Sequence, residues 1–450
     1  MASQRAFTRA PFVLLVTLAG GSLSACGDSD GSTGPIDPDP IEDYVPCAGT
    51  AATSTIGNGG VAAAARFAPA AASFANASLH AVEMPVVGAG AVTSRFTAEV
   101  AARDDHAYTS TWGFREQPGN AVYVWSIGGL TPTLVDSVII ANASTTGDVQ
   151  ITEDGRLLVV ATEYSGGSIV VYDRLDAAHP TFVSRFSTAN TDAGVHTVKL
   201  SCVGARLYAF LSIDPRGGQP ARLVIADLTD PVQPVEVTAL TIGNPFVHDV
   251  MVRDGWLFTA LWNDGLRLYD IGGAGRGGSP ANPVEIGTVV TAGGQVHNVW
   301  WFHNPAGGPD AKRYVFVGQE GPGVIGSSSS GDIHVVDISD PEAPREVAFY
   351  RVPGAGAHNF TMDEASGILY AAYYNGGVRA LDVRGDLGSC TAAQQAADGR
   401  CDLGLMKREV ATGLDGGSNY VWGVQLVDGI IYASDMLAGI YALDASGLVR

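Results

Sequence analysis

A short unit of β-strands repeats along most of the chain, and this repeat limits the fold more than any other feature of the sequence. In the copy that spans residues 247–270, two apolar runs flank the dipeptide Asp254-Gly255, which is typical of a hairpin turn. A third strand ends at Asp270, and a fourth is predicted at residues 284–290. Four short antiparallel strands at a period of about 40 to 50 residues indicate a propeller blade.

The copies can be counted from the second strand of each unit. This strand is predicted at residues 107–111, 157–161, 207–211, 257–261, 314–318, 369–373 and 431–435. The sequence therefore predicts an all-β fold, a seven-bladed β-propeller of four-stranded antiparallel blades. Only residues 445–450 follow the third strand of the last blade, so we expect an N-terminal segment between residues 79 and 87 to supply its fourth strand and close the ring.

Two of the blades carry a motif that resembles a known family. The stretches LVIADLTDPVQPVEV at residues 223–237 and IHVVDISDPEAPREV at residues 333–347 are similar to the LVIVD-repeat family of extracytoplasmic bacterial proteins, which are β-propellers. The similarity extends over nearly everything after residue 90. It implies the fold and the extracytoplasmic location, but it implies no reaction.

The N-terminus has the pattern of an export signal. Arg5 and Arg9 precede an apolar run at residues 11–18, and residues 23–26 read Leu-Ser-Ala-Cys. This motif resembles the lipobox of bacterial lipoproteins, which implies cleavage before Cys26 and a diacylglycerol on its sulfur. An ordinary secretory signal followed by a coincidental cysteine is the alternative.

The chain after the signal divides into a spacer and a folded part. Residues 26–78 are rich in Gly, Ser, Asp, Pro and Ala and are predicted to form a flexible tether, whereas residues 79–450 are predicted to form the propeller. Gly27 after the lipidated cysteine favours the outer membrane of the cell envelope under the enterobacterial sorting rule. The lipid is the only membrane contact that we expect.

Five cysteines are present, and Cys26 is assigned to the lipid. Cys390 and Cys401 flank an insertion in the sixth blade, so a disulfide that fixes this loop is expected in an oxidising compartment. Cys47 and Cys202 remain, and their pairing would tie the end of the tether to the third blade.

Charge excludes one class of partner. The net charge is −20 and no cluster of Lys or Arg is present, so the chain is not expected to bind nucleic acid. A closed ring leaves no strand edge that requires a second copy, which favours a monomer.

Histidine recurs at one position of four consecutive blades, as His196, His248, His297 and His358. The corresponding positions of the other blades were aligned as Ala98, Asp148 and Trp422. Because first strands line the channel of a propeller, these four imidazoles are predicted to approach one another at its mouth.

Imidazole is a ligand for zinc, copper and iron, so the four histidines are candidate ligands of a transition metal. Asp249, Asn298 and Asn359 follow three of them and are candidates to orient the rings. The pattern is also similar, more distantly, to the selenium-binding protein and methanethiol oxidase propellers, which have channel-facing histidines. The alternative is structural, because each histidine could hydrogen-bond the backbone of the neighbouring blade.

The connections between second and third strands return to the same face as the histidines. They carry aromatic, amide and carboxylate groups suited to a glycan, peptide or protein ligand. The candidate residues are Trp112, Glu163, Tyr164, Trp262, Asn263, Asp264, Glu320, Tyr374 and Asn375. Trp262 and Tyr374 could instead fill gaps between blades.

Two functions from different classes therefore fit the sequence. The first is a lipid-anchored binding or protein-interaction module of the cell envelope that needs no cofactor. The second is a metal-dependent oxidoreductase or lyase that uses the histidine cluster. No catalytic residue can be assigned from the sequence.

Overall fold

The computed structural model describes Ile41 and residues 44–47, 81–114, 117–164 and 166–448. The predicted signal peptide at residues 1–25, the lipidation site Cys26 and most of the predicted tether lie outside the described residues. No helix in the described part is long and apolar enough to cross a membrane.

The described chain forms seven four-stranded antiparallel blades, which confirms the predicted fold. From the first strand to the fourth, blade one consists of Phe96–Arg103, His106–Trp112, Ala121–Ser126 and Thr133–Ile139. Blade two consists of Val149–Ile151, Leu157–Thr162, Ser168–Asp173 and Thr181–Phe186. Blade three consists of Val195–Val203, Arg206–Ile213, Arg222–Asp227 and Val235–Thr241. Blades four and five consist of Asp249–Arg253, Trp256–Ala260, Leu266–Asp270 and Val284–Val289; and Val296–Trp301, Tyr314–Gln319, Ile333–Asp337 and Arg345–Tyr350. Blades six and seven consist of Phe360–Asp363, Ile368–Ala372, Val378–Asp382 and Glu409–Gly413; and Val421–Val427, Ile430–Asp435, Gly439–Asp444 and the N-terminal strand Val86–Ala91.

The remaining elements are short. Gly321–Pro322 and Ser329–Ser330 form a small hairpin in the fifth blade, Cys401–Asp402 adds to the edge of that blade, and Val82–Glu83 adds to the edge of the sixth. Two 3-10 turns lie at Gly308–Asp310 and Ala392–Gln394. First strands of neighbouring blades pack side by side around the channel.

An N-terminal strand closes the ring, but it lies a few residues later than expected. Val86–Ala91 pairs antiparallel with Gly439–Asp444, whereas Val82–Glu83, within the segment predicted to close the ring, pairs in parallel with the sixth blade. Met84 is 1% exposed and is buried in the core between the sixth and seventh blades, so the chain crosses from one blade to the next at this residue.

Local sequence explains the strand connections. Asp254 and Gly255 have φ values of +51° and +71°, and Asp428 and Gly429 have values of +49° and +81°, as a type I′ hairpin turn requires. The aspartates that end six of the third strands each accept a hydrogen bond from the backbone N–H two residues later. These aspartates are Asp173, Asp227, Asp270, Asp337, Asp382 and Asp444.

Two disulfides join the cysteines that remain after Cys26. The structure contains the expected Cys390–Cys401 bond and also Cys47–Cys202. Near Cys47, the hydroxyl of Tyr44 donates to Asp154, and Ile41 packs against the core between the second and third blades. This part of the predicted tether is therefore attached to the propeller.

Candidate metal centre

The strand pairing fixes which residues are equivalent from blade to blade. In each blade, one residue of the first strand pairs with the end of the second strand, as Asp249 pairs with Ala260. The residue just before it, which is His248 in this blade, occupies the position that we call the inner ring. The inner ring consists of Ala98, Gly147, His196, His248, His297, His358 and Trp422. The alignment of Asp148 with the histidines was wrong by one residue, because the N–H of Ala161 bonds to the carbonyl of Asp148 and makes Asp148 equivalent to Asp249.

The four imidazoles converge. The Nε2 atoms of His196 and His248 are 3.0 Å apart. Ring centroids are separated by 4.3 Å from His196 to His248, by 3.9 Å from His248 to His297, and by 4.1 Å from His297 to His358. Four blades therefore place their histidine side chains in one continuous cluster.

Second contacts orient two of the rings. Nδ1 of His196 is 2.9 Å from Oε1 of Glu163, and Nδ1 of His358 donates to the carbonyl of Trp422 at 2.6 Å. Both contacts leave Nε2 available to the cluster, as in metal sites where a carboxylate or carbonyl fixes the ligand tautomer. Both ring nitrogens of His297 lack a hydrogen-bond partner among the residues that the structure describes.

The pKa values of the four imidazoles are shifted in two directions. Burial lowers the pKa of His358 to about 3 and, together with the neighbouring histidines, holds the pKa values of His248 and His297 well below their usual range. Burial acts the same way on His196, but Glu163, Asp214 and Glu320 outweigh it and raise its pKa to about 10. Burial therefore favours the uncharged form of His248, His297 and His358, whereas the acidic neighbours favour the charged form of His196.

A second set of equivalent positions surrounds the histidines. This outer ring lies at or just after the end of each second strand. It consists of Trp112, Glu163, Asp214, Trp262, Glu320, Tyr374 and Met436. The sequence had singled out five of these seven residues. Asp214 and Met436 were missed, although strand alignment between blades would have found them.

The outer-ring residues contact the imidazoles directly. Trp262 stacks on His248 at 5.4 Å, and the ring of Tyr374 lies 4.8 Å from that of His358. Asp214 is 3.9 Å from Nδ1 of His196, on the side that also faces Glu163. Trp262 and Tyr374 have φ values of +54° and +46°. Such values are rare for aromatic residues and cluster at functional sites.

Glu320 is the carboxylate closest to the centre of the cluster. Its Oε2 is 3.7 Å from Nε2 of His248 and 3.8 Å from Nε2 of His297, and its Oε1 accepts a hydrogen bond from Tyr374. Burial raises the pKa of Glu320 above its ordinary value, against the hydrogen bond from Tyr374 and the charge on His196. His248, His297 and Glu320 can each offer one ligand atom within 4.8 Å of the others.

Several other predicted residues lie away from the cluster. The guanidinium of Arg216 lies over the ring of Tyr164 at 3.9 Å. Asn263 and Asp264 form a turn, and Asn375 bonds to Ser329 and to the carbonyl of Gly354. These four candidate ligand residues belong to the surrounding loops.

Asp249, Asn298 and Asn359, which were predicted to orient the rings, do not contact the imidazoles in this way. Asn359 donates to Glu99, and Asp249 accepts from the N–H of Val250. In the described part of the chain, neither these two side chains nor Asn298 is seen bonded to one of the four imidazoles. Burial, then Asp148, raises the pKa of Asp249 to about 7, and burial with both aspartates raises that of Glu99. A layer of buried acids therefore follows the inner ring, and the sequence reading did not anticipate it.

A cavity of about 650 Å³ runs along the channel and reaches all four histidines. At the histidine end its walls are mostly aromatic or apolar. They include Trp112, Phe114, Ile325, Tyr374, Tyr420, Trp422 and Met436. A small molecule can therefore enter and meet the imidazoles.

Comparison with known proteins agrees with the fold. The LVIVD-repeat family model matches residues 246–291 and 328–352. The structure titled "Structure of U3-55K" is similar with a TM-score of 0.54 and 9% sequence identity, covering 80% of this chain and 98% of that chain. This likeness concerns the fold alone. No curated protein matches the chain.

The fold defines the chain as a seven-bladed β-propeller, a class that serves as a scaffold for many unrelated sites. The two matched stretches resemble LVIVD repeats, and they lie in the blades of this propeller. A propeller with such repeats suggests a binding or interaction module, so what it binds must be argued from the channel.

Proposed function

We propose that the protein is a metalloprotein whose channel mouth holds one transition-metal ion through His196, His248, His297 and His358. The observation that carries this proposal is the contact of four imidazoles from four blades, among which His248 and His297, with Glu320, can each bring one ligand atom within 4.8 Å of the others. Neutral imidazole nitrogens are the form that binds metals.

The spacing of the nitrogens is compatible with a shared metal. Two nitrogens that each lie about 2.1 Å from a metal are about 3.0 Å apart when their bonds meet at a right angle, and about 3.4 Å apart in a tetrahedron. The Nε2 atoms of His196 and His248 are 3.0 Å apart, which is also the length of a hydrogen bond between the two rings. Imidazole is a ligand for zinc, copper and iron, and this distance is consistent with each of them.

The structural alternative accounts for His358 and for the 3.0 Å contact between His196 and His248, but it does not account for His297. His358 donates to the backbone of the neighbouring blade, as a strut between blades would. His196 bonds instead to a carboxylate, and His297 is buried with neither nitrogen bonded within the described chain. A buried polar group without a partner costs about 1 to 3 kcal/mol, so a strut is a poor explanation for His297.

The chemistry that fits this arrangement is that of an oxidoreductase, with a Lewis-acid lyase as the other reaction class. A bound copper or iron ion would supply redox or Lewis-acid chemistry and polarise a coordinated molecule. The chain supplies the proton path, because the hydroxyl of Tyr374 donates to Glu320 beside His248 and His297. This pair can take up or release a proton next to the metal.

Metal content tests the proposal. Protein purified without added metal or chelating resin should contain about one copper or iron per chain by mass spectrometry. A His248→Ala, His297→Ala double variant should contain none, while a His179→Ala variant, altered at an exposed histidine, should match the wild type. A folded wild-type protein that stays metal-free after incubation with Cu²⁺, Fe²⁺ and Zn²⁺ would contradict the proposal.

Metal-free binding of a glycan, peptide or protein is the second candidate. The aromatic and amide groups at the mouth support it, as does the presence of LVIVD repeats. A ligand screen on the metal-free protein separates the two functions, because only the metalloprotein loses its ligand when the histidines are replaced conservatively by glutamine.

We also propose that the protein is a monomer, exported and anchored to the cell envelope, at the outer membrane, through a lipid on Cys26. Its two disulfides support an oxidising compartment. Intact-mass measurement of the N-terminal peptide tests the anchor, because a diacylglycerol mass on Cys26 is expected in the wild type. In a Cys26→Ser variant that mass should be missing and the protein should leave the membrane fraction.

A further inference from the structure

The inner ring is divided into two sectors of different chemistry. Blades three to six contribute four imidazoles, whereas blades seven, one and two contribute Trp422, Ala98 and Gly147. None of these three side chains can ligate a metal. If the histidines hold an ion, a second molecule would therefore reach it from the side of blades seven, one and two.

Gly147 keeps this side open. A Cβ atom added at Gly147 would lie 2.4 Å from Oε1 of Glu163 and 2.9 Å from the carbonyl of His196. Any larger side chain there would displace the carboxylate that orients His196. Gly147 thus preserves both the ligand geometry and the space beside it.

The wall of the open sector is a pair of tryptophans. The rings of Trp112 and Trp422 are 5.2 Å apart, and both residues are half-buried. Trp422 lies 4.7 Å from His358, and Trp112 meets the edge of His196 at 6.2 Å. Because the two indoles already pack on each other, a ligand lies against the pair rather than between the rings.

Further apolar groups surround this wall. Tyr374 and Tyr420 stack at 4.3 Å, and they form one cluster with Met436, Ile325, Trp112 and Trp422. The N–H of Gly323 bonds to the hydroxyl of Tyr420, which places the small hairpin of the fifth blade against the same cluster. A flat apolar ligand finds aromatic contact on more than one side.

Charge at this end of the cavity is negative. Glu163, Asp214 and Glu320 lie around the histidines. Arg103 and Lys199 are the cations among the described residues that line the cavity, and they belong to the later parts of the first strands, beyond the inner ring. A carboxylate or phosphate that lay against Trp112 and Trp422 would therefore have no Lys or Arg side chain beside it, and Glu320 is the acid of these three that lines the cavity.

From these contacts we infer that the substrate of the metal centre is an uncharged, planar aromatic molecule, of the size of a simple phenol, that stacks against Trp112 and Trp422. This inference rests on the proposed metal site, but the cavity that selects the ligand is formed by the chain itself. The ligand reaches the open sector with its ring on the indoles and its polar atom toward the four imidazoles.

Three probes of similar size separate the features of such a ligand. We would titrate 4-methylphenol, 4-hydroxybenzoate and cyclohexanol into the protein, with and without bound metal, by calorimetry and by the change in the metal absorption spectrum. We expect 4-methylphenol to bind at least about 10-fold more tightly than the other two probes. Cyclohexanol lacks an aromatic ring for stacking, and 4-hydroxybenzoate introduces an unpaired charge.

A matched pair of variants locates the binding. Trp422→Leu should weaken the binding of 4-methylphenol about 10-fold and leave the metal content unchanged, because the ligand loses both the stacking contact and part of its apolar contact area. Trp256→Leu, which alters a half-buried tryptophan stacked at 6.2 Å on Phe258 and absent from the cavity wall, should bind like the wild type.

The outcomes separate the two proposals. Equal affinity for 4-methylphenol and 4-hydroxybenzoate in a metal-loaded protein would overturn the inference and leave the metal site intact. Tryptophan-dependent binding of 4-methylphenol to a protein that takes up no metal would overturn the metal site and support the ligand class. A lack of preference in both forms of the protein would also overturn the inference.

Discussion

Blades three to six and blades seven, one and two present the same backbone position to the channel with different side chains. In the first group the position is always histidine, and in the second it is Trp422, Ala98 and Gly147. All seven blades have the same four-stranded pairing. The second group therefore shows that the four-stranded blade forms without a histidine at this position.

The largest expected effect comes from removing two imidazoles from the histidine sector. A His248→Ala, His297→Ala variant should bind Cu²⁺ at least about 1,000-fold more weakly, since even the loss of a partner behind a ligand costs 10- to 100-fold. Competition titration with a chelator of known affinity measures this change. Wild-type affinity in the folded variant would remove the distinction between the two sectors.

A Glu163 variant tests whether the carboxylate that contacts Nδ1 of His196 positions this imidazole for metal binding. Glu163→Gln replaces the carboxylate 2.9 Å from Nδ1 of His196 and should weaken Cu²⁺ binding about 10- to 100-fold. The same titration applied to Glu236→Gln is the control, because Glu236 bonds to Thr188 and Asn190 in the third blade. Equal affinities for the two variants would mean that Glu163 does not position a ligand.

His303 lies outside the inner ring, and a variant at this residue tests whether burial keeps an imidazole neutral in the metal-free protein. Burial, then Arg253 and Lys312, lowers the pKa of His303 to about 3. The unfolded chain binds a proton near pH 6.5, so the folded state loses stability as the pH falls from about 6.5 toward 3. His303→Gln should therefore lose about 1 to 2 kcal/mol less than the wild type between pH 7 and pH 4.5, after allowing for partial exposure.

Urea denaturation of the metal-free proteins at the two pH values measures the acid sensitivity. His179→Gln is the control, because Asp136 raises the pKa of His179, which gives the opposite sign. If His303→Gln and the wild type were equally acid-sensitive, burial would not explain the neutral imidazoles of the cluster.

The smallest effect concerns the stability of the empty site. His297→Leu removes a buried ring with no hydrogen bond in the described chain and should leave the metal-free protein as stable or more stable by about 1 kcal/mol. His358→Leu removes a bond to the carbonyl of Trp422 and should destabilise it by about 1 kcal/mol. Thermal unfolding of the two metal-free variants compares them. A large loss for His297→Leu would indicate a structural strut.

The repeat made the fold predictable, because each blade repeats the same alternation of apolar and polar residues and the same turn residues. The closing strand was predicted in the right place in the ring but a few residues early. The alternation of side chains around Ala81–Met84 is compatible with pairing to the edge of the sixth or of the seventh blade. The burial of Met84 between these blades fixes where the chain crosses from one to the other. Burial of this kind depends on tertiary packing and has no signal in a short segment.

The site was predictable in part for the same reason. The four histidines were found because one residue type recurs, but Gly147, Asp214 and Met436 are different residues at positions related only by strand pairing. Tyr164 and Asn263 were included because of their nearness in sequence to Glu163 and Trp262. A shift of one residue in a turn moves a side chain out of the cluster, and sequence distance alone does not show it.

The most direct measurement of the central claim is an anomalous difference map from crystals of the purified protein, collected at the absorption edge of its bound metal. One peak is predicted within about 2.0 to 2.3 Å of imidazole nitrogens of His196, His248, His297 and His358. A well-ordered histidine cluster without a peak in metal-soaked crystals, or a peak only at other residues, would contradict the account.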